Sequence, residues 1–357
     1  MSALRLGIMR ALLIANPQST SQSGHLFGYI VRLLRTIPDF KLKVMFTHYP
    51  GHAQQLVTGL SRKNYDVVIA VGGDGTVNGV INGLLPDKQT LVAHPEIVTQ
   101  IPRLAVIPTG SANVFARALG FPMDAYLAVE TLVIALQHNQ TRFIGAGTYN
   151  DKWFVVNAGI GLDADAIVAM ERVRRKGFSA TPLRYLRVSA RAAFKLWRNP
   201  PHIDVRASNK HGDMVAHKDI PLCFASNTNP WTFFGPLPVV TNPLNSFDAG
   251  VSLFGLNTFS ALGRVAGLMH MSGIGHNRFL SQWLSSYVFT FDDAVEVELY
   301  CSDARQFQID GEYAGEVTYV RLEAIPQAIE VYAPIEKVAD SPTSIARKFF
   351  SFFDLRL

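Results

Sequence analysis

The chain has 357 residues, 48% hydrophobic and 17% charged, with a formal net charge of +5 and a pI near 9.2. That length suits about two domains of ~150 residues, the apolar content excludes a disordered polypeptide, and the mildly basic balance favours anionic partners. Two cysteines, Cys223 and Cys301, form no CxxC motif and no Cys/His cluster, which excludes a zinc module and a disulfide framework and fits a reducing compartment.

In chain order, residues 10–15 read as a short buried strand closed by the turn-forming Asn16-Pro17. The run is too short for a secretory core, and no window approaches the ~20 apolar residues of a membrane-spanning helix. Residues 25–34 carry apolar side chains at helical spacing, 42–46 read as a second strand, and 53–60 read as a helix opened by Pro50-Gly51. A β-branched run over 66–71 ends in Gly72-Gly73, and a helix follows over 77–85. A fourth strand, 104–107, leads through Pro108–Asn113 into a helix over 114–119. Alternation of this kind predicts a Rossmann-like α/β domain with a mostly parallel sheet.

From about residue 141 the rhythm changes. Nine strand-like runs (142–148, 153–158, 203–205, 221–225, 251–254, 294–300, 306–309, 317–322 and 329–333) predict an all-β antiparallel sandwich. Helical insertions are expected over 164–197 and 259–273. The expected domains are therefore 1–140, 141–335 and a basic aromatic tail, 336–357.

Three motifs carry chemistry. In Gly72-Gly73-Asp74-Gly75-Thr76-Val77-Asn78, glycines between strand and helix let backbone approach a phosphate and adopt positive φ, while the helix start offers N–H groups and a positive dipole end. Asp74 fits beside Mg²⁺, a ribose hydroxyl or a reacting hydroxyl. The plain alternative is a tight turn. A second loop, Pro108-Thr109-Gly110-Ser111-Ala112-Asn113, repeats the design, with Ser111 and Asn113 also readable as helix caps. Asn16, Pro17, Gln18, Ser19 and Thr20 follow the first strand, and Thr47 ends the second, so all four turns share the carboxyl edge where open α/β sheets bind ligands. Late in the chain, Asp310-Gly311-Glu312 reads either as a plain hairpin turn or as a carboxylate pair able to supply a general base.

In this order, the Asn-Pro loop, GGDGT, the Pro-x-Gly-Ser-x-Asn loop and the late Asp-Gly-Glu resemble the diacylglycerol kinase catalytic family, which includes bacterial diacylglycerol kinases and the sphingosine and ceramide kinases. Asn157-Ala158-Gly159-Ile160-Gly161-Leu162-Asp163 resembles a stretch these proteins carry where their second domain begins. The resemblance implies ATP and Mg²⁺ as cofactors and phosphoryl transfer to a lipid hydroxyl. Asn16–Thr20, Thr47, Gly72–Asn78, Gly110, Ser111 and Asn113 would then line the ATP site. Glu312, assisted by Asp310, would be the base on the lipid hydroxyl, and Asp74 would position Mg²⁺-ATP or share the proton transfer. Asp248 resembles the position near which bacterial relatives hold a structural Mg²⁺. Two departures stand out: Gly79 where the family usually has Glu, and Val114 where bacterial members usually have Asp.

The expected partner is a lipid at a membrane surface, met from the cytoplasmic side as a peripheral protein and a possible homodimer, with no nucleic acid. Residues 171–198 carry nine arginines and lysines interleaved with Phe178, Tyr185, Phe194 and Trp197, and the tail repeats this character with Arg347, Lys348 and Phe349. The rival readings are a sphingoid kinase, an NAD kinase, which also uses GGDG, and a nucleotide-binding regulator that has lost catalysis.

Overall fold

The computed structural model describes residues 7–17, 19, 24–160, 199–273 and 278–338. The expected insertion over 164–197, the basic stretch 171–198, residues 161–163, the tail 342–357, Gln18 and Thr20 lie outside the described residues. The chain divides into two compact units. One takes the described residues up to Ile144, with Asp151–Trp153 and those from Gln327 onward. The other takes Gly145–Asn150 and Phe154–Pro326.

The first unit runs β1 Met9–Ala15, α1 Gly24–Leu34, β2 Phe40–Phe46, α2 His52–Val57, β3 Val67–Gly72, α3 Asp74–Leu84, α4 Lys88–Ala93, a 3₁₀ turn Pro95–Thr99, β4 Arg103–Pro108, α5 Val114–Ala118 and α6 Ala125–Gln137. Strands pair in parallel in the order β2-β1-β3-β4, and Val331, near the C-terminal end of a later strand, adds beside Leu104 of β4. The interior of β1 and all of β3 are buried on both faces, hence their continuous apolar runs. α1 buries Leu26, Ile30 and Leu34 along one stripe, and α3 buries Val77, Val80, Ile81 and Leu84. Strand order reverses between β1 and β3, which sets a topological switch point at their carboxyl ends. At the opposite end of the sheet, Glu330 is paired with Arg62 and with Arg103 (Nε–Oε1 2.9 Å).

The second unit contains the rest: β5 Thr141–Tyr149, β6 Lys152–Phe154, β7 Asn157–Ile160, β8 Ile203–Asn209, β9 Met214–Ile220, β10 Leu222–Ser226, β11 Thr232–Phe234, β12 Leu237–Val239, β13 Val251–Leu256, α7 Ala261–Met271, α8 Arg278–Leu284, β14 Val288–Ile309 and β15 Glu312–Tyr332. The ends of β5, β6 and β15 lie in the first unit. Pairing in the order β13-β10-β7-β14 is antiparallel throughout. β14 pairs with β13 through its first residues and with β7 through its last, so these strands close on themselves into a sandwich-like region. Register shifts between Val251 and Leu253, and between Tyr300 and Arg305, let so long a strand bend. Phe154, Leu253, Val297, Leu299, Phe307, Val320 and Leu322 fill the core.

The expected mixture of a parallel α/β region and an antiparallel β region is the observed fold. Its elements differ in detail. The runs 294–300 and 306–309 are one strand, β14, and 317–322 with 329–333 are β15. The end of β15 lies parallel to β4 instead of in the sandwich. The run 153–158 is split into β6 and β7. The helix expected over 53–60 stops at Val57, where Thr58 turns extended.

Candidate active site

The carboxyl edge of the parallel sheet is assembled from main chain. Asn16 N–H donates to Val71 C=O, Thr47 N–H to Ala15 C=O, and Thr109 N–H to Gly72 C=O, so the turns after β1, β2, β3 and β4 stand level. The loops after β3 and β4 are in backbone contact. A Cβ placed on Gly110 would stand 2.6 Å from Gly73 Cα, and one on Gly72 would stand 2.3 Å from Thr76 Oγ1. Both distances are below any real carbon contact, so these positions demand glycine for space.

Gly73 is the N-cap of α3 with φ −91°, and Gly72 and Gly75 are likewise outside the left-handed region. The expectation of positive φ is therefore corrected: the strand feeds directly into the helix, and the glycines serve close approach instead of an unusual turn. No side chain caps α3. Its first turn meets the carboxyl edge as a bare helix start of the kind that holds phosphate oxygens.

Asp74 opens α3, but its carboxylate turns to the neighbouring loop. Oδ2 accepts from Val114 N–H at 3.1 Å and Oδ1 from Phe115 N–H at 3.0 Å. Burial holds its pKa above the usual carboxylate range, while the N–H groups of Phe115 and Val114 and the buried Arg117 pull the other way. Asp74 thus caps α5, the task expected of Ser111 or Asn113. Asn113, at φ 50°, instead exchanges hydrogen bonds with Gly110 (N–H to Oδ1 2.9 Å, Nδ2 to C=O 2.8 Å) and locks its own loop. Ser111 is exposed.

Ser19 Oγ and Thr109 Oγ1 are 2.8 Å apart, joining the turn after β1 to that after β4. Thr109 is fully buried. It was legible as a loop member but was missed as a site residue, because only the adjacency of the two turns gives it a role. Val77 is buried in the core, and Asn78 Nδ2 donates to Trp153 C=O. Asn82, also missed, brackets the same residue: Nδ2 donates to Trp153 C=O and Oδ1 accepts from Trp153 N–H. Gly79 lies against α2. A Cβ there would meet Ala53 Cβ of α2 at 3.2 Å, and at Gly83 it would meet Gln54 C=O at 2.4 Å. The face of α3 that carries Gly79 and Gly83 is covered by α2.

In the second unit, Asp310 and Gly311 form the two-residue loop between β14 and β15, with φ 48° and 79° and Ile309 paired to Glu312. Asp310 is 4% exposed. Its oxygens accept three N–H groups, from Val155 (2.9 Å), Val156 (2.8 Å) and Asn157 (3.0 Å). Gln308 braces the turn, donating to Asn157 Oδ1 and accepting from Gly311 N–H. Glu312 is exposed at the first residue of β15. Asp248 is exposed, its own N–H donating to Ser246 Oγ, and among the described residues no group of three His, Cys, Asp or Glu side chains is placed to hold a metal ion.

The glycine cradle and uncapped helix start fit a nucleotide phosphate. The donor set for a protein-bound metal does not: Asp74 is committed to two N–H groups, and among the described residues no cluster joins it or Asp248. No helix among the described residues is long and apolar enough to cross a membrane.

Residues 10–143 match the model of the diacylglycerol kinase catalytic domain. A diacylglycerol kinase of Bacillus subtilis (strain 168) is 32% identical over 154 residues, 43% of this chain and 46% of that protein. One from Staphylococcus aureus (strain MRSA252) is 24% identical over 336 residues, 91% of this chain and 92% of that one. The solved structure of a diacylglycerol kinase from Bacillus anthracis str. Sterne is similar in fold, with a TM-score of 0.63 at 18% identity over 92% of this chain and 98% of that one. The chain spans less than half the length of the relatives it matches at 30% identity or more.

Proposed function

We propose, because residues 10–143 match the model of the diacylglycerol kinase catalytic domain, that this protein transfers the γ-phosphate of ATP to the hydroxyl of a membrane lipid, diacylglycerol foremost. The observation that carries the reading is the backbone contact of Gly73 and Gly110 beside the uncapped start of α3, at the carboxyl edge of a parallel sheet. Phosphoryl transfer asks for positioning and charge neutralisation more than for covalent help. Main-chain N–H groups supply both without reorganising.

In this reading the lipid oxygen attacks the γ-phosphorus, the bond from that phosphorus to the bridging oxygen breaks, ADP leaves, and the hydroxyl proton passes to the exposed Glu312 carboxylate. Asp310, engaged by three N–H groups, is a positioning residue for the turn that carries Glu312. Ser19 and Thr109 fix the floor of the nucleotide edge. Mg²⁺ enters as the counter-ion that ATP carries. The setting is cytoplasmic phospholipid synthesis.

The test is transfer of labelled γ-phosphate in mixed micelles to diacylglycerol, sphingosine, ceramide, monoacylglycerol and NAD. Label in diacylglycerol supports the proposal, and label in sphingosine or ceramide moves the substrate class within it. Label in NADP overturns the lipid assignment. ATP binding without transfer to any acceptor leaves a nucleotide-binding regulator.

A further inference from the structure

Trp153 is held by the helix that Gly73 caps. Asn78 and Asn82 lie one turn apart on α3, so their amides share a face. Asn82 Oδ1 accepts from Trp153 N–H at 2.9 Å, and Asn82 Nδ2 donates to Trp153 C=O at 3.0 Å. Asn78 Nδ2 donates to the same C=O at 3.0 Å, and Asn82 Nδ2 also reaches Asn78 C=O at 3.0 Å. A side-chain amide carries the donor and the acceptor of a peptide group, so Asn82 does for Trp153 what a neighbouring strand would do. The service matters because β6 has three residues and, among the described strands, pairs with β5 alone. The indole is fixed too: Nε1 donates to Pro86 C=O at 2.9 Å, and Trp153 is 2% exposed. The main-chain N–H and C=O and the indole N–H of Trp153 thus all end on residues 78–86.

The residues that follow pass this constraint along the chain. Trp153, Phe154, Val155, Val156 and Asn157 are consecutive and buried, with no glycine among them to take up a displacement. The ring of Phe154 fills the space that a Cβ on Gly147 would need, 2.0 Å from Cζ. Val155, Val156 and Asn157 then give their N–H groups to Asp310, and Asn157 C=O accepts from Asp310 N–H at 2.8 Å. Glu312 follows Asp310 across the single residue Gly311. We propose that Asn82 is a positioning residue for phosphoryl transfer: it fixes Trp153, Trp153 fixes the start of the run that holds Asp310, and the Asp310 turn aims Glu312. This rests on the lipid-kinase reading, in which Glu312 takes the hydroxyl proton, and deepens it by adding a residue outside the glycine-rich motif. A purely structural Asn82 would give a different pattern of losses.

The test compares Asn82→Ala in the full chain with Leu91→Ala, which empties a buried site in α4 and lowers stability away from Trp153. Amide hydrogen exchange is read first, since it needs no activity. Exchange at Val155, Val156 and Asn157 should quicken about tenfold or more in Asn82→Ala, stay unchanged in Leu91→Ala, and stay slow in both at Val68–Ala70 of β3. Unchanged exchange at 155–157 overturns the proposal. With diacylglycerol in mixed micelles, kcat should fall about tenfold or more in Asn82→Ala while the KM for ATP holds. An equal kcat loss in Leu91→Ala, or a loss expressed only in the KM for ATP, overturns it. In a Glu312→Ala background, Asn82→Ala should cost nothing further, because its effect runs through Glu312. Additive losses make Asn82 a fold residue and also overturn it. Should Asn82→Ala not fold, Asn82→Asp, which keeps an acceptor for Trp153 N–H, is read in the same three ways. A wild-type chain that binds ATP and labels no acceptor sinks the kinase reading, while faster exchange at 155–157 would still leave Asn82 in control of the Asp310 turn.

Discussion

Asp74 in the α/β unit and Asp310 in the β unit are acidic residues of the two motifs that first point to chemistry, and each spends its carboxylate on main-chain N–H groups. Asp74 takes two, at the start of α5, and Asp310 takes three, from Val155 to Asn157. They differ in what surrounds the bonds. Asp74 stands beside a sheet edge where Gly73 meets Gly110, whereas Asp310 is enclosed in a hairpin with Gln308 bracing the same turn. A carboxylate in a kinase motif is therefore not by itself a reacting group. It is also the most economical way to hold several orphan donors in a loop that must not move.

The comparison makes ordered predictions. Asp310→Ala leaves three buried donors without acceptors, and urea unfolding should show a loss of about 4 kcal/mol. Asp310→Asn, which keeps an acceptor oxygen and tolerates φ 48°, should recover at least half of that. If Ala and Asn are equally damaging, charge outweighs hydrogen bonding at this turn. Next, Gly110→Ala drives a Cβ against Gly73 Cα. It should cost about 2 kcal/mol by the same measurement, and calorimetry should show ATP binding weakened more than tenfold. Undiminished ATP affinity would remove the nucleotide from this edge.

Smaller effects separate carboxylates by pH. Burial raises the pKa of Asp74. Its contribution to stability is thus complete below the unfolded carboxyl value and lost as pH rises through the folded value. In Asp74→Asn one N–H faces an amide nitrogen, at a cost of about 1 kcal/mol at low pH, and this deficit should narrow as pH rises. Glu330 runs the opposite way. Burial pushes its pKa up, but hydrogen bonds from Thr141, Arg62 and Arg103 outweigh that and hold it below the ordinary value. Its contribution is present at neutral pH and lost as pH falls through the folded value. Glu330→Gln should therefore destabilise at pH 7 by about 1 kcal/mol, since both arginines stay partly hydrated, and the deficit should vanish in acid. Parallel pH profiles for the two variants would break the contrast.

Much of this was legible in sequence for definite reasons. β3 reads directly because a strand buried on both faces is an unbroken β-branched run, and Asp310-Gly311 reads as a hairpin because few residue pairs accept two positive φ angles. α6 escaped notice because it is apolar on nearly all sides, burying Ala128, Val129, Leu132, Val133, Ala135 and Leu136, and so lacks a helical stripe. β14 read as two strands because Ser302-Asp303 interrupts its pattern where the register shifts. At the site, glycine positions were visible but their purpose was not. Whether a glycine serves a torsion or a neighbour depends on which strand lies alongside, and no local pattern encodes that Gly73 meets Gly110, or that Asp74 caps a helix 40 residues onward.

The contact of Gly73 with Gly110 has a consequence for how such a protein can change. The contact itself is bare main chain, which offers no side chain to exchange and tolerates almost no substitution. Selection acting on which molecule receives the phosphate has no purchase there. In the proposed reading, a lineage that alters its acceptor must do so through residues elsewhere, with the Gly73–Gly110 contact inherited intact.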